Sequence, residues 1–322
     1  MKKLSLWVVL TIFAGMPVSF AQLHSELLIS KSFESNDEKT EPAIGSLTIP
    51  AGQPSSFLIN GGIGYELTWI KVGASDENSY KKILSPFVVG NYNNLVTDKQ
   101  RNYKAGGNFS LLVGKNTSGV DESGLIRVFR TNYFSMNHTV EYVRDLETPT
   151  HSLVYTLYLT QELMDNRKGH LNINKYHGEG KWQTFIGYNA GFELQDHFQA
   201  DDPALKGYNF RNYHNGILRL ALRASDPDTA RRRVNTNTNT DPFVPFTELG
   251  VSYVGRYQLA GSTAHNEGYL PLFKAEFILY PTRNENFSVG FSYNAGSDPL
   301  NGLANQHYYL LSLKFKTKKR YN

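Results

Sequence analysis

The sequence has no cysteine and few charged residues, and these two shortages exclude several classes of protein. Without cysteine, the 322-residue chain can form no disulfide, no thiolate metal site, no cysteine nucleophile and no lipidated N-terminal cysteine. Charged residues make up 19% of the chain, with 33 basic against 29 acidic side chains, a balance that argues against nucleic acid as a partner. Beyond the first 20 residues, no apolar run approaches the roughly 18 residues that a membrane-spanning helix needs.

Aromatic residues and glycine are plentiful. The chain contains 20 tyrosines, 19 phenylalanines and 27 glycines. This composition is too aromatic for a disordered polymer and is typical of a chain built from strands and turns. The composition therefore predicts an all-β fold.

The first 21 residues have the features of a signal peptide. Met1 to Lys3 form a short basic segment, the apolar stretch LSLWVVLTIF follows, and Pro17 interrupts it. Small residues at Ser19 and Ala21 match the positions that a signal peptidase reads, so cleavage is expected between Ala21 and Gln22. The sequence therefore predicts an exported protein.

Strict alternation of apolar and polar residues is the main structural pattern. In Trp182–Phe198, WQTFIGYNAGFELQDHF, apolar residues occupy every second position from Ile186 to Leu194. A helix would scatter them around its circumference, whereas a strand places them on one face. The same period recurs in 248–253, 273–279, 287–294 and 309–316.

Two designs share this period, and they differ in which face is buried. A soluble sandwich buries its apolar faces between two sheets, whereas a membrane barrel turns them toward lipid and encloses small polar residues. The polar face here repeats Gly, Asn, Ser and Glu, which favours a wet lumen. Aromatic residues stand near the predicted strand ends, as in the girdles of membrane barrels: Tyr188, Phe198, Tyr253, Tyr257, Tyr280 and Tyr293.

On these features, residues 55–316 resemble the outer-membrane β-barrel proteins of Gram-negative bacteria. The Ala-Gln cleavage junction is similar to those of the Bacteroidetes group. The resemblance implies a transmembrane antiparallel up-and-down β-barrel in the outer membrane, surrounded by lipid and inserted by the barrel-assembly machinery. It departs at the C-terminus, where KTKKRYN follows Phe315 although many such barrels end on an aromatic residue.

The expected organisation has four parts. Residues 1–21 are the signal peptide, 22–54 a periplasmic segment or first strand, 55–316 the barrel, and 317–322 a basic tail. At about 25 residues per strand and connection, the chain has about twelve strands, with fourteen as the alternative. Two long connections are expected, at about 199–212 and 224–245.

Motifs for covalent chemistry are sparse. The sequence contains no HExxH, no CxxC and no phosphate-binding glycine loop, and we expect no metal and no cofactor. Asp196 beside His197 suggests an acid and base pair of the kind found in outer-membrane hydrolases, but adjacent strand residues point to opposite faces. The sequence therefore predicts that the protein is not an enzyme, with a hydrolase as a remote alternative.

Charged residues on the polar phase are the candidate site. The candidate lumen residues carry both signs: Glu193, Arg219, Arg223, Glu248, Arg256, Lys274 and Glu276. They can set the selectivity of a pore or pair with one another and plug it. A second candidate is the loop patch Arg231, Arg232 and Arg233, which would attract anions or stand in solvent.

Three functions remain open on this sequence. The first is porin-like passage or binding of small solutes without covalent chemistry. The second is a non-conducting surface barrel that serves adhesion or recognition. The third is a secreted, soluble β-sandwich that binds glycans.

Overall fold

A computed structural model of the chain describes thirteen stretches of residues. They are 22–30, 43–50, 56–71, 78–94, 100–120, 126–165, 175–177, 182–223, 245–263, 268–281, 287–298, 303–315 and 317–321. Within them the chain forms fifteen strand segments: β1 Gln22–Ser30, β2 Ala43–Pro50, β3 Ser56–Lys71, β4 Asn78–Asn93, β5 Gln100–Val120, β6 Ile126–Asp145, β7 Thr150–Asp165, β8 Lys175–His177, β9 Trp182–Ala200, β10 Gly207–Arg223, β11 Pro245–Gly261, β12 Tyr269–Leu279, β13 Phe287–Asp298, β14 Leu303–Phe315 and β15 Thr317–Tyr321. In these stretches no helix is long and apolar enough to cross a membrane.

The strands form an antiparallel up-and-down meander. Each strand from β3 to β7 pairs with the next, β7 pairs with β9, and β9 to β14 continue the series. The two ends of the meander meet at β3, which pairs with β4 along one edge and with β2 and β1 along the other. β2 also pairs with β14, and β1 pairs with β15. The pairing thus returns to the strand at which it began.

The ring has twelve strand positions, here called places, around its circumference. This confirms the predicted number of strands. β1 and β2 lie end to end along β3 and fill one place, and β15 continues β14 in another. The three residues of β8 pair only with the start of β9 and add no place. The predicted fold, a transmembrane up-and-down β-barrel, is therefore correct.

Burial is inverted relative to a soluble sandwich. In the middle of β9 the apolar side chains are exposed and the polar ones are buried: Tyr188, Phe192 and Leu194 face outward, whereas Glu193 and Gln195 face inward. Because a strand alternates its side chains, the outer face of the ring is mainly apolar and solvent-exposed, and the enclosed inner face carries most of the buried polar residues. This pattern contradicts the glycan-binding sandwich, which would bury its apolar faces.

The outer face carries an uncharged band of membrane thickness. On β5 the outward side chains between Arg101 and Lys115 run from Tyr103 to Val113 without a charge. From Tyr103 to Val113 there are ten steps of about 3.3 Å each, which at a tilt of about 40° cover roughly 25 Å, the height of the apolar band of a membrane barrel. The length and chemistry of β5 thus suit a bilayer.

One predicted connection and the predicted C-terminal tail differ from the structure. The predicted insert at 199–212 shrinks to six residues, because β10 begins at Gly207 and Asp202 caps a single 3-10 turn at Pro203–Leu205. The prediction was wrong there because inward residues of a barrel are polar, so Asn209 and Arg211 look like loop residues although both are buried. At the C-terminus, where a tail was expected, Thr317–Tyr321 pairs with β1 as β15.

Some predicted features lie outside the described residues. They are residues 1–21 and the loop patch Arg231, Arg232 and Arg233. The patch belongs to the connection between β10 and β11. That connection leaves the barrel at the end where β1 begins and β15 ends.

Candidate functional site: the charged inner wall

Six of the seven predicted lumen residues have described side chains, and all six lie on the inward phase of their strands. Glu193 is on β9, Arg219 on β10, Glu248 and Arg256 on β11, and Lys274 and Glu276 on β12. We call this region the charged inner wall. The side chain of the seventh residue, Arg223, lies outside the described residues.

A buried ion pair forms the first cluster of this wall. Nε of Arg256 lies 2.9 Å from Oε2 and 3.1 Å from Oε1 of Glu193. The hydroxyl of Tyr158 donates to the same carboxylate at 3.1 Å, and the Arg256 guanidinium lies 5.3 Å from the centre of the Tyr213 ring. Because Glu193 is fully buried and Arg256 nearly so, this cluster holds the wall together and is sealed from solutes.

Arg211 extends the same cluster, and the sequence reasoning missed it. Its two terminal nitrogens donate to Oε1 of Gln195 at 3.1 Å and 3.2 Å, and its side chain is fully buried. The alternation of Asn209, Arg211 and Tyr213 with Tyr208 and Phe210 could have placed it inside the barrel. The turn signal of Asp201-Asp202-Pro203 masked that pattern.

The second cluster lies farther along β10 and β11 and is partly open to the interior. Nη1 of Arg219 lies 3.3 Å from Oε1 of Glu248. The guanidinium stacks 5.8 Å from the centre of the Phe185 ring, and the hydroxyl of Tyr280 donates to Oε2 of Glu248 at 3.4 Å. Glu248 is buried in this arrangement, whereas Arg219 reaches past it.

The third cluster centres on one carboxylate with two lysines. Nζ of Lys274 lies 3.2 Å from Oε2 of Glu276, and Nζ of Lys314 on β14 binds Oε1 of the same side chain. Lys314 is buried, so it neutralises Glu276 against the wall. Of the three side chains in this cluster, that of Lys274 is the most exposed to the interior of the barrel.

The accessible part of the interior follows β10 to β12. Six inward side chains in the middle of these strands are only half-buried: Ile217, Arg219, Ser252, Val254, Leu272 and Lys274. On β4 to β7, by contrast, the inward side chains are mostly small polar or apolar and are buried: Ser85, Phe87, Val89, Asn108, Ser110, Ser135 and Val154. Each ion pair and hydrogen bond of the three clusters lies within one strand or joins segments that are neighbours or next neighbours in the ring. These contacts line the wall and do not cross the lumen.

The residues weighed for catalysis are separated by the alternation. Asp196 is exposed on the outer face, whereas His197 points inward, where its Nδ1 lies 2.7 Å from the hydroxyl of Ser152. Ser152 is buried, so a substrate has no access to this hydroxyl. Among the described residues, no group of three or more His, Asp or Glu side chains is placed to hold a metal ion.

Comparisons with known proteins find similarity among solved structures, at low sequence identity. No protein-family model and no curated protein sequence matches the chain. Among solved structures, the chain is similar to the translocator domain of the autotransporter NalP from Neisseria meningitidis, with 8% identity over 98% of this chain and 96% of that chain and a TM-score of 0.34. It is also similar to the transport unit of the autotransporter AIDA-I from Escherichia coli, with 10% identity over 97% and 96% and a TM-score of 0.32.

A third similar structure is OccK8 (OprE) of Pseudomonas aeruginosa, with 8% identity over 92% of this chain and 98% of that chain and a TM-score of 0.25. With TM-scores below 0.5, these similarities carry no argument about function. The pairing and the inverted burial described above establish the architecture, which is that of an outer-membrane β-barrel.

Proposed function

We propose that this chain is an integral outer-membrane barrel of a Gram-negative bacterium that passes or binds small solutes without covalent chemistry. One observation carries the proposal. Charged, inward-facing side chains on β10 to β12, Arg219 and Lys274 above all, remain accessible from the interior of the ring. A polar, accessible lumen inside an apolar exterior is the arrangement by which pores conduct polar solutes.

Placement in the membrane is supported by the outer face. The uncharged band on β5 has the height of a bilayer core, and lipid is its natural surroundings. Insertion would need barrel-assembly machinery, and export would need the predicted signal peptide. N-terminal sequencing of the membrane-bound protein should find Gln22 first, whereas retained Met1 would contradict export.

The alternative is a non-conducting surface barrel. The buried inner faces of β4 to β7 favour it, because they narrow the space through which solutes could pass. A barrel closed in this way would act through the connections at its ends.

Conductance separates the two functions. The purified protein should shift its gel mobility on boiling in detergent, and its folded form should open discrete currents in a planar bilayer. A heat-modifiable protein that gives no current at any salt concentration would refute solute passage and support the surface barrel. Full extraction by salt or carbonate, without detergent, would refute membrane insertion.

A further inference from the structure

In the second and third clusters of the inner wall, one cation of each is more exposed than the carboxylate with which it pairs. The side chains of Arg219 and Lys274 are 37% and 27% exposed, whereas those of their carboxylate partners Glu248 and Glu276 are 6% and 14% exposed. All four face the interior, so the charge that a solute meets on this part of the wall is positive. The formal charges of these four side chains sum to zero, so the sequence alone does not reveal that the cations are more exposed than the carboxylates.

The two accessible cations flank the same strand. Arg219 on β10 is the register partner of Gly250 on β11, and Lys274 on β12 is the partner of Ser252. Gly250 and Ser252 are successive inward positions, so the cations stand on opposite sides of β11, one pleat apart. Their backbones are two strand spacings apart across the sheet and one pleat apart along it, about 12 Å in all. Two long side chains from these positions can reach one group lying over β11.

The two inward residues of β11 that lie between the cations, Gly250 and Ser252, are small, and the second carries a hydroxyl. A Cβ added to Gly250 would lie 3.6 Å from Cγ of Arg219, so the glycine itself leaves a hollow beside the arginine stem. Ser252, which is half-buried, contributes a hydroxyl at the next inward position. Serine hydroxyls and guanidinium groups are both donors to anionic oxygens.

We infer that Arg219 and Lys274, above Gly250 and Ser252, form a binding site for the carboxylate or phosphate group of a small anionic solute. The inference rests on the proposed function because the solute reaches the site through the lumen. Glu248 and Glu276 pair with the two cations, and both carboxylates are more covered than the cations they hold. The site would make the pore prefer anions.

The cleanest variant is Lys274→Gln. It removes one accessible cation, while Glu276 keeps Lys314 as its partner. Lys115→Gln is the matched control, because Lys115 is an exposed lysine on the outer face of β5. A double variant, Arg219→Gln with Glu248→Gln, removes the other cation without leaving its carboxylate unpaired. Heat-modifiable mobility verifies that each variant folds.

Ion selectivity in a planar bilayer tests the inference. From reversal potentials in a KCl gradient, the wild type should pass chloride in preference to potassium. Lys274→Gln should lower that permeability ratio about fivefold, the effect of one unit charge at close range in water. Lys115→Gln should leave the ratio unchanged. A conducting Lys274→Gln variant with the wild-type ratio would overturn the anion site and leave solute passage intact.

A binding measurement that needs no current separates a failure of the anion site from a failure of solute passage. If the wild type does not conduct, solute passage fails, and titration calorimetry of the detergent-folded barrel with inorganic phosphate still reports on the site. Phosphate affinity that falls about fivefold in Lys274→Gln and is unchanged in Lys115→Gln supports the site. Equal affinities in the two variants, or no phosphate binding by the wild type, overturn it.

Discussion

Two adjacent aliphatic residues on β10 give the sharpest test of the face assignment. Leu218 is 55% exposed on the outer face, between its register partners Ile186 and Val251, which also point outward. Ile217 is half-buried on the inner face, between Gly187 and Ser252. The two residues have the same volume and lie on the same strand. They differ in whether lipid or the lumen surrounds them.

Replacing each residue with arginine should therefore have unequal effects. In Leu218→Arg the guanidinium enters the hydrocarbon, which costs about 2–4 kcal/mol near the bilayer midplane. That cost raises the unfolded fraction roughly 30- to 900-fold. In Ile217→Arg the new side chain points into the polar interior over two small neighbours, and we expect a change of less than about 1 kcal/mol.

Urea unfolding in lipid vesicles measures both variants. The folded fraction at each urea concentration follows from the intensity of the faster band on unboiled gels. Leu218→Arg should shift the midpoint to clearly lower urea, and Ile217→Arg should stay close to the wild type. Equal losses in the two variants, or a larger loss in Ile217→Arg, would refute the orientation of β10 and with it the position of Arg219.

Two further substitutions test the packing of the wall. Glu193→Ala should destabilise the barrel by about 3–5 kcal/mol, because it leaves a buried arginine without its carboxylate, whereas Glu147→Ala in the exposed β6–β7 turn should change stability by less than about 0.5 kcal/mol. Similar urea midpoints for the two variants would contradict the buried ion pair. Gly191→Ala should prevent folding, since a Cβ there would overlap the backbone oxygen of Leu157, and Gly216→Ala should fold normally because nothing lies within 4 Å of its Cβ. A heat-modifiable Gly191→Ala protein would show that the approach of β7 to β9 is looser than described.

The fold could be predicted from the sequence because a pleated strand imposes the period of two. Tyr188 and Phe192 could only share a face, and Glu193 could only oppose them. The period of two does not locate the residue at which a strand with a polar inner face ends and a polar loop begins. In a barrel the inward residues are polar, so Asn209 and Arg211 look like loop residues, and only the alternating aromatic residues Tyr208 and Phe210 mark this part of β10 as a strand.

The strands near the two ends of the chain were also difficult to predict from side-chain composition. Lys318, Lys319 and Arg320 form a charged run that is typical of a solvated tail, yet their backbone pairs with β1. Backbone hydrogen bonding to a neighbouring strand does not depend on side-chain type, so composition alone could not reveal this pairing. The same limit explains why β1 and β2, which share one place in the ring, could not be recognised as parts of one wall.

The electrostatic character of the inner wall depends on the lengths of its side chains. Alternation places Arg219, Glu248, Lys274 and Glu276 on the inner face, and on formal charge alone they cancel. Glutamate has a short stem, so its carboxylate stays near the backbone, where neighbouring side chains cover it. Arginine and lysine have longer stems that pack along the wall and extend their charged ends toward water. These two cations and two carboxylates therefore present a positive surface, and the exposed fractions of the four side chains follow that order.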